Sequence, residues 1–455
     1  MSGSRVRVGR VGYRRGYMSS MSGPPGDPLW PSGTAGSSDQ TSDDASELSV
    51  GSGVLVAQPG SPGLPGRGVM VGALGLLAVL VVAVVAVVVW RTDDEWPALQ
   101  PVIPVDGWAP YWALDRSADE ISRRDGSMRE VSPFWFRAAG VDQIMVDPNA
   151  SADLTEDFLD DADDALLVPS IVDGLAAGEM AAIIADPESR RRHVDAIVEF
   201  VADGGYDGVD LNYEQFAFAD GRDTWEETRP NWVALVSELA EDLHADGRTL
   251  TVSVPVVYDA GRTSDSGYWV YDYSAIVDHV DSIRIMAYDY SVGDPGPIAP
   301  LSFVQRAIDG AIEATGQPDK LSLGLAMYGR NWPVSVTGEC PEPDEEAGVT
   351  VPGVTTVTPR SVDDLIERRD AVPAYDAATG EWSFEYELEI SDSTTTCVQT
   401  RQVHYVDADG VRARMDLAIA AGLGGVSLWA LGFDDDDVWD AILIDATPPE
   451  SDTDD

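Results

Sequence analysis

The alternation of apolar and polar positions predicts a series of strand–helix repeats that begins near residue 101. In each repeat a short, β-rich apolar segment is followed by a polar turn and then by a helical pattern, as in Arg191–Ala202 and Trp232–His244. The eight predicted strands are Val102–Trp108, Glu130–Phe136, Leu166–Val172, Gly208–Glu214, Leu250–Val256, Ser282–Tyr288, Leu321–Tyr328 and Gly425–Leu431. Eight strands that alternate with helices are typical of an α/β fold, the parallel (β/α)8 or TIM barrel, and a doubly wound open sheet is the main alternative.

One interval between predicted strands is too long for a single turn and helix. Residues 332–420 contain two strand-like segments, Trp382–Ile390 and Gln402–Val406, and one helical pattern, Val362–Arg369. We therefore predict a small α+β insertion between the seventh and eighth strands. Such an insertion could form one wall of a groove.

An apolar run near the N-terminus predicts a membrane anchor. Val69 to Trp90 contains no charged residue and is long enough to cross the hydrocarbon core of a bilayer as a helix. A buried core helix and a cleaved signal peptide are the alternatives, but no small-x-small cleavage site follows Trp90. We therefore expect the lipid bilayer to be a partner of this segment.

The flanking residues indicate how the chain is oriented. The arginine cluster from Arg5 to Arg15 favours a cytoplasmic tail, which would leave the C-terminal domain outside the cell. Cys340 and Cys397 agree with this orientation, since they could pair in an oxidising exterior; two reduced thiols are the alternative. The predicted organisation is a disordered tail (1–68), a transmembrane helix (69–90), a linker (91–100), a barrel (101–445) and an acidic disordered tail (446–455).

The charge of the chain excludes one class of function. Its 79 acidic and 29 basic residues give a formal net charge of −50 at pH 7. Nucleic-acid binding depends on cationic contacts with phosphates, so we exclude a nucleic-acid partner.

The fourth predicted strand carries the densest set of polar side chains. In Tyr206–Phe216 acidic or amide residues alternate with apolar ones, so a strand would turn Asp210, Asn212 and Glu214 to one side. Polar side chains that point into a sheet interior are costly, and they usually serve chemistry. A solvated edge strand is the alternative.

Further candidates lie at the C-terminal ends of the predicted strands, where barrel enzymes build their active sites. Each aromatic residue alone is more often part of ordinary packing, but a cluster of them at strand ends favours a site. These residues are Tyr111, Trp112, Trp135, Asp173, Glu214, Tyr258, Tyr288, Asp289, Tyr328, Arg330 and Trp429.

Several motifs resemble one family. Asp207–Glu214 reads DGVDLNYE and resembles the D-x-x-D-x-D-x-E signature of glycoside hydrolase family 18, which includes chitinases and spore peptidoglycan glucosaminidases. Five more segments fall in the family's order: Ser132–Phe134, Met286–Asp289, Pro295–Pro297, Tyr328–Arg330 and Gly425–Trp429. The resemblance covers about Val102 to Asp440.

The resemblance implies roles for individual residues. Glu214 matches the general acid, Asp210 and Asp207 match the inner acids, and Tyr288 would donate a hydrogen bond to the substrate acetamide, whose oxygen attacks the anomeric carbon. The substrate-binding residues that it implies are Tyr111, Phe134, Trp135, Met286, Asp289, Tyr328, Arg330 and Trp429. Position 212 departs from the pattern, since Asn212 replaces an Asp and can accept an N–H but supplies no charge.

The sequence therefore predicts a membrane-anchored, extracellular glycosidase that cleaves β-1,4-linked N-acetylglucosamine polymers of chitin or peptidoglycan type by substrate-assisted, retaining catalysis. The alternative, motivated by Asn212, is a weak or inactive glycan-binding protein. We expect no cofactor and no metal. An unrelated metal-binding barrel is a remote alternative, and Asp434–Asp437 is more typical of a solvated loop than of a Ca²⁺ site.

Overall fold

The computed structural model describes residues 101–124, 126–162, 165–344 and 349–443. In these ranges no helix combines the length and the apolar composition that crossing a bilayer requires. The predicted span Val69–Trp90 and both predicted tails lie outside the described residues, so the membrane anchor stays a prediction.

The described ranges contain short strands separated by helices. The strands are β1 (Val105–Pro110), β2 (Glu130–Phe134), β3 (Phe136–Gly140), β4 (Gln143–Val146), β5 (Leu166–Leu167), β6 (Ser170–Asp173), β7 (Gly208–Asn212), β8 (Thr249–Pro255), β9 (Ser282–Met286), β10 (Leu321–Ala326), β11 (Gly329–Gly338), β12 (Thr355–Val357), β13 (Ala374–Asp376), β14 (Glu381–Ser391), β15 (Thr396–Tyr405) and β16 (Gly425–Trp429). The helices are α1 (Leu114–Arg123), α2 (Ala152–Asp161), α3 (Glu179–Ala185), α4 (Pro187–Gly204), α5 (Gln215–Phe218), α6 (Trp225–Ala245), α7 (Tyr273–Ile276), α8 (Leu301–Thr315), α9 (Pro359–Arg369), α10 (Ala408–Ala421) and α11 (Asp436–Leu443).

The first large sheet closes into a barrel. Its order runs from β6 through β7, β8, β9, β10 and β16 to β1 and β2, and these neighbours pair in parallel. The second and third barrel positions are each made of two segments, because β2 pairs with β5 whereas β3 pairs with β6. These two pairings close the ring, so the predicted (β/α)8 barrel is confirmed.

Helix α4 shows how local sequence delivers the chain to β7. Asp186 caps its first turn by accepting a hydrogen bond from the Ser189 backbone N–H, and Pro187 occupies the first turn, where a proline costs little. The helix ends at Gly205, whose φ of 68° is left-handed and favours glycine. Its buried residues are His193, Val194, Ile197 and Val201, which form one stripe against the core.

The barrel interior is polar at the level of the predicted site. On β7 the outward residues Val209 and Leu211 are fully buried among apolar side chains, whereas Asp210 points inward. The inward residues of neighbouring strands are also polar and fully buried: Ser132, Ser170, Ser253 and Arg284. The core therefore lies between sheet and helices, and the barrel centre is left for charged groups.

The predicted α+β insertion forms a second, antiparallel sheet in the order β12, β11, β15, β14 and β13. Helix α9 covers it through a small apolar cluster that contains Val362, Leu365, Phe384 and Tyr405. Helix α10 falls in the interval 332–420 except for its last residue, but it contacts α8 and α11 and so packs with the barrel.

Two connections hold the insertion in place. Glu381 and Arg414, here called the latch, are both 1% exposed and form an ion pair of 2.8 Å between β14 and α10. Glu381 also accepts hydrogen bonds from the backbone N–H groups of Ile298 and Ala299, in the connection that follows β9. A disulfide joins Cys340 and Cys397 with an S–S distance of 2.01 Å and fastens the chain after β11 to β15.

Candidate active site

Glu214 lies where β7 ends and the short helix α5 begins, at the C-terminal rim of the barrel. Burial raises the pKa of its carboxyl to about 7, the negative charges of Asp289 and Asp210 act in the same direction, and a hydrogen bond from Asn212 acts against them. A carboxylic acid with a pKa near neutrality keeps its proton under mild conditions and can give it to a leaving group.

Asn212 adjoins this acid on the inward face of β7. Its side chain hydrogen-bonds to the Glu214 carboxyl, and the residue is 3% exposed. Among the described groups, its Oδ1 atom is buried without a hydrogen-bond partner. An unpartnered buried acceptor costs free energy, which a ligand N–H could recover.

Asp210 is held by donors from four other strands. The Trp108 Nε1–H donates to Oδ2 over 2.9 Å, and the Ser253 hydroxyl donates to Oδ1 over 2.6 Å. The Ser170 hydroxyl and the Arg284 guanidinium also donate to Oδ2. With both oxygens occupied, the carboxylate is fixed in the barrel interior.

Tyr288 supplies a hydroxyl beside the acid. Burial raises the pKa of its phenol well above 10, and the charges of Glu214 and Asp289 raise it further, so the group stays neutral and able to donate. The ring packs against the position of Gly324, where an added Cβ would lie 2.9 Å from a Tyr288 ring carbon. A larger residue at 324 would therefore displace the phenol.

Asp289 follows Tyr288 in a left-handed conformation with φ of 57°. Its Oδ1 atom accepts hydrogen bonds from the Tyr328 hydroxyl and from Arg330 Nη2, the latter over 2.6 Å. Arg330 belongs to β11, so the insertion contributes directly to this side of the site.

Aromatic rings surround Trp429 at the end of β16. Its ring centroid lies 4.9 Å from that of Phe134, 5.8 Å from that of Trp108 and 6.5 Å from that of Trp112. Tyr111 packs edge-on against Trp112, with centroids 4.8 Å apart. Trp112 is 42% exposed and Trp429 is half-buried, so this cluster offers apolar faces on which a sugar ring could stack.

A model of the glycosyl hydrolases family 18 matches residues 174–434, more than half of the chain. The chain belongs to this family. Probable chitinase 2 of Drosophila melanogaster is 26% identical over 270 residues, 56% of this chain and 52% of that protein. The cortical fragment-lytic enzyme of Bacillus subtilis (strain 168) is 24% identical over 275 residues, 59% of this chain and 56% of that protein. The chain thus spans about half the length of the curated relatives it matches.

Solved structures agree with the family 18 assignment. A chitinase from Chromobacterium violaceum ATCC 12472 has a TM-score of 0.60 and 25% sequence identity, and the match covers 75% of this chain and 98% of that chain.

Most residues that the family 18 signature singled out lie together. The structure groups Asp210, Asn212, Glu214, Tyr288 and Asp289, with Tyr328 and Arg330 on one side and the Trp429 cluster of Tyr111, Phe134 and Trp429 at the rim. Met286 is half-buried at the end of β9, two residues before Tyr288.

Two predicted site residues lie elsewhere. Asp207 precedes β7, at the opposite end from Glu214, and its carboxylate accepts a hydrogen bond from the Leu167 backbone N–H over 3.0 Å. It therefore connects the segment before β7 to β5. Trp135 is 4% exposed and packs against Phe158 of α2, because it points to the other face from Phe134.

Other residues near the family 18 site were missed as partners. Trp108, Ser170, Ser253 and Arg284 all donate to Asp210, and their alternation with apolar neighbours on their own strands was the available signal. Gln215 was also missed; its side-chain amide donates to the backbone oxygens of Asp173 and Leu175.

Proposed function

We propose that this chain is a glycosidase that hydrolyses polymers containing β-1,4-linked N-acetylglucosamine. The observation that carries the proposal is the half-buried Glu214 at the barrel rim, with its pKa raised to about 7 and Tyr288 and Asn212 beside it. The resemblance to family 18 implies an acid, a barrel and a rim of aromatic residues. All three features are present in this chain.

The proposed mechanism is substrate-assisted and retaining. Glu214 gives its proton to the glycosidic oxygen while the acetamide oxygen of the same sugar attacks the anomeric carbon, which forms an oxazolinium ion. Glu214 then takes a proton from the water that opens this ion. Tyr288 would donate to the acetamide oxygen, and the unpartnered Oδ1 of Asn212 would accept the acetamide N–H.

The substrate class rests on the relatives. One is named a chitinase and another a cortical fragment-lytic enzyme, which is consistent with a glycan that contains N-acetylglucosamine. We propose chitin-type and peptidoglycan-type polymers as the two candidates. Both present the 2-acetamido group that the mechanism uses.

A rate measurement tests the proposal. Full-length chain in detergent would be incubated with a fluorogenic chitobioside beside the Glu214→Gln and Asn212→Asp variants. We expect wild-type turnover and a loss of at least about 100-fold in Glu214→Gln, since removing a general acid costs 10²–10⁴-fold. Glu199→Gln, an exposed glutamate on α4, is the matched control and should not change the rate.

Two outcomes would oppose the proposal. Equal rates in wild type and Glu214→Gln would assign the turnover to another group. No turnover by wild type together with turnover by Asn212→Asp would favour the alternative, a glycan-binding protein that has the fold but does not catalyse the reaction.

We further propose that Val69–Trp90 anchors the chain in the cell membrane as a single pass, with the barrel outside. The uncharged apolar run and the disulfide between Cys340 and Cys397 support this proposal. Protease added to intact cells should degrade the barrel while a tag before residue 68 survives inside. A barrel that is cut only after the cells are lysed would place it in the cytoplasm.

A further inference from the structure

A fully buried arginine crosses the barrel interior beneath the proposed acid. Arg284 on β9 is 0% exposed, and its guanidinium lies over the Trp108 ring at 5.3 Å. Its Nη1 lies 2.6 Å from the Ser132 hydroxyl and 3.4 Å from Asp210 Oδ2, and its Nη2 lies 2.8 Å from Glu130 Oε2. A buried arginine is costly unless carboxylates compensate it, so this position requires its partners.

The charged groups around Asp210 come from several strands. β1 contributes Asp106, 3.9 Å from Arg284, and β2 contributes Glu130. Arg129 pairs with Asp106 at 2.6 Å and also lies 3.7 Å from Glu130. The other described groups that face Asp210 are the neutral donors Trp108, Ser170 and Ser253, the neutral Asn212, and the titratable Glu214 and Tyr288. Among these groups, Arg284 is the cation that contacts Asp210.

The identity of residue 212 makes this cation important. In a dry interior a carboxylate without a cation takes up a proton, and Asn212 can neither share a proton nor supply a charge. Asp210 is close enough for its charge to act on both Glu214 and Tyr288. Asp289 and Asp210 are the two aspartates whose negative charges act on both groups, and Asp210 is the one that shares the inward face of β7 with Asn212.

We propose that Arg284 is a positioning residue of this active site, which pairs with the Asp210 carboxylate across the barrel so that Asp210 offsets the positive oxazolinium ion in place of the neutral Asn212. The inference rests on the proposed glycosidase function. Arg284 does not touch the substrate. It acts through Asp210, and Glu130 is its second carboxylate partner.

The pH dependence of kcat/KM tests the inference in the full-length chain. The double variant Arg284→Gln/Glu130→Gln removes one cation and one carboxylate together, so the formal charge of the interior is kept. Glu130→Gln alone is its reference, and Arg284→Lys keeps the cation. The acid limb is the part of the pH profile in which kcat/KM falls as the pH is lowered. We expect the acid limb of the double variant to lie about one pH unit or more above that of Glu130→Gln, because a buried carboxylate without a cation holds its proton to higher pH. In Arg284→Lys the acid limb should stay near that of wild type.

The outcomes separate the two proposals. If wild type hydrolyses no chitobioside and no glycan polymer, the proposed function fails and the inference fails with it. If wild type is active and loses activity in Glu214→Gln, but the double variant has the acid limb of Glu130→Gln, the function stands and the role of Arg284 is overturned. The role of Arg284 is also overturned if the acid limb of Arg284→Lys shifts as far as that of the double variant. A structural role of the arginine side chain would then explain both shifts.

A second measurement on wild type does not depend on the folding of any Arg284 variant. Protein labelled with ¹³C at the aspartate carboxyls would be titrated by NMR, and the Asp210 resonance would be identified by its loss in Asp210→Asn. The proposal requires the Asp210 resonance of wild type to be that of a carboxylate at the pH of maximal kcat/KM. A resonance of a protonated carboxyl at that pH would refute it.

Discussion

At the scale of the residue, burial of the Glu214 carboxyl has two opposed effects. It raises the pKa to about 7, which keeps a proton available for transfer near neutrality. It also makes ionisation of Glu214 costly in the folded protein, whereas the unfolded chain releases the same proton at its ordinary pKa of 4.5. The folded state therefore binds this proton more tightly, and the proposed general acid weakens the fold at higher pH.

The sign of this linkage gives a prediction for Glu214→Gln. A group whose folded pKa is raised contributes stability that is complete below its unfolded pKa and is lost as pH rises through the folded value. The interval from 4.5 to about 7 corresponds to about 3 kcal/mol. At about pH 8 Glu214→Gln should therefore exceed wild type in free energy of unfolding by up to about 3 kcal/mol, and near pH 4 the difference should vanish.

Denaturant unfolding at both pH values checks this expectation, with the exposed Glu199→Gln as control. A difference between Glu214→Gln and wild type that is the same at both pH values would show that the raised pKa of Glu214 is not its cause.

Local alternation predicted part of the site. It placed Asp210 and Asn212 on one face of β7, and the structure agrees. The same rule applied from Phe134 would have turned Trp135 away from the groove, as observed. Local alternation could not predict the partners of Asp210, because Trp108 is 102 positions away and Arg284 is 74 positions away in the sequence.

At the scale of the element, the strand–helix period predicted the eight barrel positions. It did not predict that a barrel position can consist of two separate strands. Glu130–Phe136 was predicted as one strand, whereas the structure divides the segment into β2 and β3 around Trp135. The reason is the pairing with two different partners, β5 and β6, which requires the two halves to follow different neighbours. A pairing across the barrel leaves no mark in the local sequence.

The latch gives a prediction at this scale. Arg414→Met removes the cation from the buried Glu381, which keeps only its backbone donors Ile298 and Ala299. Breaking a buried ion pair from one side costs about 3–5 kcal/mol, so we expect a loss of that order in the free energy of unfolding. The displaced connection after β9 begins close to Asp289, so KM for the chitobioside should also rise.

A matched control lies on the same helix. Arg412 pairs with the exposed Asp416 over 2.8 Å, and Arg412→Met should change stability by at most about 1 kcal/mol. The free energy of unfolding of both variants would be measured by denaturant titration. Equal losses in Arg412→Met and Arg414→Met would mean that the latch stabilises the protein no more than the exposed pair does.

At the scale of the whole molecule, the chain has a formal net charge of −50 at pH 7. Within the described ranges, the buried carboxylates Asp210, Glu130 and Glu381 have arginine partners that offset their charges locally. Composition could therefore exclude a nucleic-acid partner without indicating where the chemistry lies. The order of the motifs along the chain was the feature that located the site.

Arg330 belongs to the first strand of the insertion but donates to Asp289 of the barrel. An exchange of insertions between related proteins, by recombination or by laboratory shuffling, would thus replace part of the candidate active site together with the rest of the insertion. A grafted cassette would have to bring a donor at the equivalent point, or Asp289 would lose one of its two anchors. Barrel and insertion are for this reason expected to be inherited as one unit.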